Sequence, residues 1–260
     1  MPKLVVLVKF TPDLTSDRRF SEDGTLDRAA VPGRLSELDE YAAEQALRVV
    51  ESGSGWELTY LSMGPAGAAE ALRKALSMGG DAAVHVSDEA LHGSDAFGTS
   101  LVLAAAVERI GFDLVVTGMA STDAGMGVVP ALVAERLGVP AVTYAGQLSV
   151  SGDAVEIVRD SDLSSETVSA SLPALVSVTD QTGEARYPSF KGIMAAKKKP
   201  VTTWSLADLG IDPGSVGLGA AWSTVVSAER RPARTAGQLV KDDGDGGSAL
   251  ADFLVAQRFI

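Results

Sequence analysis

Cysteine is absent from this chain. That excludes disulfides, thiolate metal sites, iron–sulfur ligation and a cysteine nucleophile. Histidine is nearly as scarce: His85 and His92 are the only two imidazoles, too few for a multi-histidine metal site. Positive charge is also in deficit. Twenty-two Lys and Arg stand against 34 Asp and Glu, a formal net charge of −12, which disfavours a partner such as nucleic acid or an anionic membrane. No apolar run approaches the roughly 18–20 residues of a membrane span. The run at the N-terminus, Leu4 to Val8, stops at Lys9 and is too short for a signal peptide. These absences describe a soluble, intracellular protein that is not membrane-embedded.

Length and apolar content are present. The 260 residues allow one large domain or two small ones, and 46% apolar residues can bury a core without staples. Leu4-Val5-Val6-Leu7-Val8 runs without alternation, which predicts a strand covered on both faces, as in a parallel sheet. The polar stretch from Thr11 to Gly33 is longer than most loops, so it is functional or carries a small hairpin. Ser36, with Asp39 three residues on, predicts a capping box at the start of a helix bearing Leu38, Ala42, Ala46 and Val49. Trp56 to Leu61 reads as the next strand. Pro65 is expected in the first turn of a second helix, with Arg73 and Lys74 near its C-terminus, where cations complement the dipole. A strand at Ala82 to Val86, a helix capped by Ser94, a strand ending at Gly118 and a helix from Val129 to Leu137 follow. This alternation predicts a right-handed, mostly parallel α/β sheet with helices on both faces.

The pattern changes after residue 145. Ala154 to Arg159 and Thr167 to Leu172 predict a hairpin, and Ala174 to Val178 another buried strand. From Gln181 onward periodicity is lost, with only a short helix expected near Ser205 to Leu209. An acidic linker at 241–247 precedes a terminal helix, Ser248 to Arg258.

Three segments could carry chemistry. Gly118 to Gly127 joins a buried strand to a helix, where glycine backbone and helix N–H groups can cradle a phosphate. Its spacing is neither a P-loop nor a dinucleotide fingerprint, so nucleotide binding and a plain strand-to-helix turn both stay open. Gly183 to Pro200 gathers apolar residues and lysines in turn-like sequence, readable as a docking loop or as a partly buried loop with solvated lysines. Arg230 to Gly237 is a basic segment that wraps a partner or lies in solvent. His85, in a strand, reads as a satisfied core residue.

Taken in order, these residues resemble the electron-transfer flavoprotein beta subunit family. The likeness runs through Leu7-Val8-Lys9, Pro12-Asp13, Asp39-Glu40-Tyr41-Ala42, Ser62-Met63-Gly64-Pro65, Gly118, Asp123 and the Gly125–Gly127 loop. It is most specific at Glu184, Arg186-Tyr187-Pro188 and Ile193-Met194-Ala195-Ala196-Lys197-Lys198-Lys199-Pro200, and closes with Asp208-Leu209-Gly210 and Pro232-x-Arg234-x-x-Gly237. The resemblance implies a three-layer, mostly parallel, Rossmann-like sheet of the adenine nucleotide alpha hydrolase-like type, with a β hairpin and an extended C-terminal arm. It implies residues 1–180 as the nucleotide-binding-type domain, 181–200 as a recognition loop and 201–260 as a partner-wrapping arm.

By the same resemblance, the chain pairs with an alpha subunit that holds most of an FAD, and many family members hold AMP in the beta subunit. Acyl-CoA or other dehydrogenases donate electrons. An electron-transfer flavoprotein–quinone oxidoreductase or another acceptor removes them, and the beta subunit has no catalytic turnover of its own. A cytoplasmic, bacterial protein is expected. The implied cofactor residues are Leu7, Val8 and Lys9 after the first strand; Ser36, Leu38 and Asp39 at the first helix; Met63; and Gly118, Asp123, Gly125, Met126, Gly127, Val128 and Val129 in the glycine loop. The implied docking residues are Glu184, Arg186, Tyr187, Phe190, Ile193 and Met194, with Phe190 where the family places a leucine.

This sequence also departs from the family. Ser36 replaces an asparagine, and Gly127, Val128 and Val129 replace an asparagine, a glutamine and a threonine. Of the acidic run only Asp123 is kept. Three alternatives remain: a stand-alone adenine-nucleotide-binding protein of the universal-stress type, an adenine-nucleotide hydrolase or ligase acting alone, and a bifurcating flavoprotein with a second FAD in the beta subunit.

Overall fold

In the computed structural model, which describes residues 1–53, 55–229, 231–237 and 239–260, strand β1 (Lys3–Leu7) lies at the centre of a parallel sheet. Its residues Leu4 to Leu7 are buried on both faces, as the unbroken apolar run requires. Short strands β2 (Phe10–Pro12) and β3 (Gly33–Leu35) pair antiparallel and close the long polar stretch into a small ribbon. Helix α1 (Glu37–Glu51) follows, then β4 (Glu57–Met63), α2 (Ala68–Met78), β5 (Ala82–Val86), α3 (Ala96–Ile110), β6 (Leu114–Gly118) and α4 (Val129–Leu137). Next come β7 (Ala141–Ala145), β8 (Gln147–Ser151), β9 (Ala154–Asp160), β10 (Ser165–Ser171), β11 (Ala174–Val178), α5 (Phe190–Ala196) and β12 (Val201–Trp204).

The seven-stranded sheet runs β12-β5-β4-β1-β6-β11-β7, all neighbours parallel. Alternate residues of its strands feed two cores. Leu4, Val6, Tyr60 and Val116 pack with α1 and α2 on one face; Val5, Leu7, Val84 and Val115 pack with α3 and α4 on the other. The result is the three-layer, Rossmann-like α/β sandwich. Strands β8, β9 and β10 form a separate antiparallel sheet whose Val155 and Ile157 reach the first core.

Several local expectations are corrected. Ser36 stands at the start of α1 but makes no side-chain cap: the Asp39 N–H donates to the Ser36 carbonyl, the Ser36 N–H donates to the Lys9 carbonyl, and the Asp39 carboxylate accepts from the Lys9 N–H. Asp95, not Ser94, caps α3 by accepting from the Phe97 and Gly98 N–H groups; Ser94 Oγ donates to the Leu91 carbonyl and accepts from Gly217. Pro65 lies ahead of α2 rather than in its first turn. Arg73 does not serve the end of its own helix but reaches the carbonyls of Ala196 and Lys199. The hairpin gains a third strand, β8, and β7 joins the parallel sheet. After Gln181 the chain is more regular than its sequence suggests: α5 forms, and β12 adds to the sheet edge.

The chain divides into two compact units, Met1–Val226 and Ser227–Ile260. All elements above lie in the first. The second contains α6 (Gly246–Ala256), which starts two residues earlier than expected and buries none of its side chains. Arg231 to Gly237 are exposed and outside regular structure, and Arg230 of the basic segment lies outside the described residues.

Candidate functional site

β1 sits where the strand order reverses: the chain leaves it towards β4 and β5 and returns to its other side as β6. In open α/β sheets the crevice at that point, beyond the carboxyl ends of the strands, is where ligands bind. Here it collects Lys9, the start of α1 and the loop after β6.

The contacts are specific. The Lys9 N–H donates to Asp39 Oδ2 at 2.8 Å, and the Lys9 carbonyl accepts from the Ser36 N–H. Gly118 ends β6 against α1: a Cβ there would lie 2.6 Å from Asp39 Oδ1 and 2.9 Å from the Leu38 carbonyl oxygen, so the approach requires glycine. Lys9 Nζ reaches Asp123 Oδ1 at 2.8 Å, and Arg28 reaches Asp123 Oδ2 at 2.6 Å. The Asp123 side chain is 1% exposed, whereas those of Lys9 and Arg28 are 37% and 30% exposed. Burial alone would raise Asp123, but the Lys9 and Arg28 charges hold it well below the usual carboxylate range. Asp39 goes the other way: burial pushes its carboxyl up to about 7, against the opposing Lys9 and Gly118 backbone and the Lys9 charge.

The loop then runs past exposed Gly125 and Met126 to Gly127, whose Cβ position lies 2.6 Å from the Tyr144 hydroxyl. Tyr144 itself holds a left-handed φ of 63°, an unfavourable conformation for a bulky side chain that tends to mark functional sites. No side chain caps α4, which begins at Val129 after exposed Val128. Leu7 and Val8 have core side chains and face the crevice only through backbone, while Met63 is half-buried at the end of β4. Ser36 Oγ is buried without a hydrogen-bond partner, as is Ser62 Oγ. Two partly exposed cations, a glycine loop, an uncapped helix and an orphaned buried hydroxyl suit a phosphate-bearing ligand. Sequence reading missed Arg28 and Tyr144. Arg28 lies in the aperiodic stretch that folds back over the crevice, and nothing in its neighbours signals that return.

The residues that the resemblance implies for docking form a second cluster. Tyr187 is 93% and Phe190 80% exposed; Ile193 and Met194 are also exposed. Ser189 caps α5 by accepting from the Gly192 N–H. Glu184 is exposed, but Arg186 turns inward, donating to Glu44 and Glu51 of α1. Burial would raise the Glu44 carboxyl, yet hydrogen bonds from Arg186 and Arg48 outweigh it and keep the group ionised. His85 is a core residue, its Nε2 3.0 Å from the Gly64 carbonyl. Among the described residues, no cluster of three or more His, Cys, Asp or Glu could hold a metal, and no helix is long and apolar enough to cross a membrane.

Comparison with known proteins gives the same direction. The family model described as electron transfer flavoprotein domain matches residues 23–209. Proteins named electron transfer flavoprotein subunit beta, from Mycobacterium tuberculosis and Mycobacterium leprae, are 46% identical over the full length of both chains. A subunit of the same name from Megasphaera elsdenii is 30% identical, over 99% of this chain and 100% of its own. The caffeyl-CoA reductase–Etf complex subunit CarD of Acetobacterium woodii is 32% identical over 92% and 91% of the two chains. With the match running through the crevice and α5 along the whole chain, the chain belongs to the electron transfer flavoprotein family, among its beta subunits.

Proposed function

We propose that this chain is the beta half of a two-subunit electron-transfer flavoprotein of the bacterial cytoplasm, without catalytic turnover of its own. It accepts reducing equivalents from acyl-CoA or other dehydrogenases and delivers them to a quinone oxidoreductase or another acceptor. The FAD of the complex lies mainly in the alpha subunit, and it supplies the electron-carrying chemistry. In this chain, residues 1–180 hold a nucleotide, 181–200 dock the dehydrogenase, and 201–260 wrap the alpha subunit while their first strand also closes the sheet edge. AMP fits the crevice. Lys9, Arg28 and the Gly125–Val129 backbone would hold its phosphate, and Leu7, Val8 and Met63 its base.

The observation that carries this reading is the face of α5. Large apolar side chains in water are unfavourable unless a partner covers them, and such anchors dominate interface energies. Exposed Lys191, Lys197 and Lys198 flank that face in a protein of net charge −12, so the partner it fits has an apolar pocket with an acidic rim. Leu250, Phe253, Val255, Phe259 and Ile260 of the second unit are exposed as well, which fits a chain that completes its core on an obligate partner, burying more than about 2,000 Å².

The test is co-expression with the alpha subunit. A yellow heterodimer is expected, with one FAD and one AMP released on denaturation; two FAD would assign the bifurcating type, and an isolated monomer that ignores the alpha subunit would favour a stand-alone nucleotide binder. Phe190→Ala should raise the apparent KM for an acyl-CoA dehydrogenase about tenfold, the loss expected of an apolar anchor. Phe190→Leu should keep most of the activity, and dithionite reduction should not change. Equal coupled rates for wild type and Phe190→Ala would remove the docking role.

A further inference from the structure

Helix α5 presents its apolar face with almost no core of its own. Of its seven residues only Ala196 is buried. An open groove of about 670 Å³, lined by Arg73, Lys74, Tyr187 and Ile193 among others, runs beside its contact with α2. Hydrophobic burial therefore does not fix its position, and polar contacts at both ends take that part.

At the entrance, the chain is tied to α1. Gln45 Nε2 donates to the Thr182 carbonyl at 3.0 Å. Arg186 then donates Nε to Glu44 Oε2 at 2.7 Å and its backbone N–H to the same oxygen at 3.1 Å. Its two terminal nitrogens fork onto Glu51, one also reaching Glu44. Such a planar fork fixes direction as well as distance. At the exit, Arg73 of α2 donates to the Ala196 and Lys199 carbonyls at 2.6 and 2.8 Å. Lys199 Nζ returns the tie, donating to the Leu76 carbonyl at 3.0 Å. Between the ends, Gly192 rests on α2: a Cβ there would collide with the Ser77 carbonyl oxygen.

We propose that Arg186 and Gly192 are positioning residues for dehydrogenase docking, holding α5 in its docking pose on α1 and α2 before any partner arrives. This rests on the docking role of Phe190 given above. Neither residue needs to touch the dehydrogenase. They act by sparing the encounter the ordering of a mobile segment, which otherwise weakens binding.

The test uses the flavin-containing heterodimer carrying Arg186→Gln, Gly192→Ala, Glu51→Gln or Phe190→Ala, and the double variant Arg186→Gln/Phe190→Ala. Tryptic cleavage after Lys197 and Lys198 reads the order of α5 without any dehydrogenase. Arg186→Gln and Gly192→Ala should speed it severalfold, with flavin content unchanged. Coupled flavin reduction by an acyl-CoA dehydrogenase and its acyl-CoA should then show an apparent KM raised about tenfold and kcat within about twofold, as for a lost anchor. In the Phe190→Ala background, Arg186→Gln should raise KM little further, because both act through one contact. Glu51→Gln removes only the outer carboxylate and should give a smaller shift in the same direction; it serves if Arg186→Gln fails to fold. Unchanged cleavage would overturn the proposal, as would faster cleavage with KM unmoved while Phe190→Ala raises it. Independent, multiplying KM effects of Arg186→Gln and Phe190→Ala would also overturn it. If Phe190→Ala itself leaves KM unchanged, the docking reading fails, and the positioning role falls with it even where cleavage is faster.

Discussion

Two ion-pair networks in this chain each set two cations around a buried carboxylate and differ in balance. In the crevice, Lys9 and Arg28 face a single buried carboxylate, Asp123. Ahead of α5, Arg186 and Arg48 face two, Glu44 and Glu51. The second network is complete: each charge has an opposite, and the Arg186 fork is satisfied by the two carboxylates. The first leaves positive charge over, because the nearby Asp39 carboxyl, pushed up to about 7, is only partly ionised at neutral pH. A balanced network holds structure in place, whereas an unbalanced one retains attraction for a further anion.

The largest expected effect breaks the balanced side. Glu44→Ala leaves Arg186 and Arg48 without their shared buried acceptor, though Arg186 keeps Glu51, and stability should fall by about 2 kcal/mol, read from urea unfolding. A loss within experimental error would mean the network is not structural. Next comes the unbalanced side. Lys9→Gln or Arg28→Gln should weaken AMP binding about tenfold in calorimetry, roughly 1.4 kcal/mol, with Asp123 keeping the other cation as its partner. AMP affinity in wild type should also drop with added salt, because both cations are partly exposed. An Arg28→Gln variant with wild-type AMP affinity would confine the phosphate role to Lys9 and the loop.

The smallest effect sharpens the comparison by asking how much Asp39 counts in the charge balance. Folded, its carboxyl keeps its proton to about pH 7; unfolded, it releases it near 3.8. Between those values the folded state binds more protons, so the Asp39 contribution to stability falls as pH rises. Wild type should lose on the order of 1 kcal/mol from pH 6 to 7 relative to Asp39→Asn, whose amide oxygen can still accept from the Lys9 N–H. Parallel pH profiles for the two proteins would show that Asp39 titrates no differently on folding.

Much of the architecture was legible because burial on two faces leaves a plain mark. The run Leu4 to Val8 and the strand Ala174 to Val178 could be read directly, since strands between two helix layers need apolar residues throughout. Helix α5 was not legible. Phe190, Ile193 and Met194 recur at helical spacing, but the segment has only seven residues and these side chains face solvent rather than a core, and what holds it is Arg186 and Arg73 reaching other helices far away in sequence. β7 was missed for a related reason: Ala141 to Ala145 is half-exposed and short. In the crevice, the glycine loop was readable from its place after a strand. The partner of Asp123 from Thr11 to Gly33 was not, since Arg28 arrives by a tertiary fold-back.

The edge strand β12 carries a consequence for how the chain survives outside its complex. Without Val201 to Trp204, β5 would end the sheet, and its Ala82 to Val86 backbone would offer an open row of donors and acceptors beside apolar side chains. Such edges recruit other chains and aggregate. The present edge begins after Pro200, exposes Thr202 and Thr203, and ends at Trp204, whose ring lies 4.6 Å from the Arg109 guanidinium carbon. A chain cut at Pro200 would therefore lose solubility, while one cut after Leu209 would keep its sheet sealed.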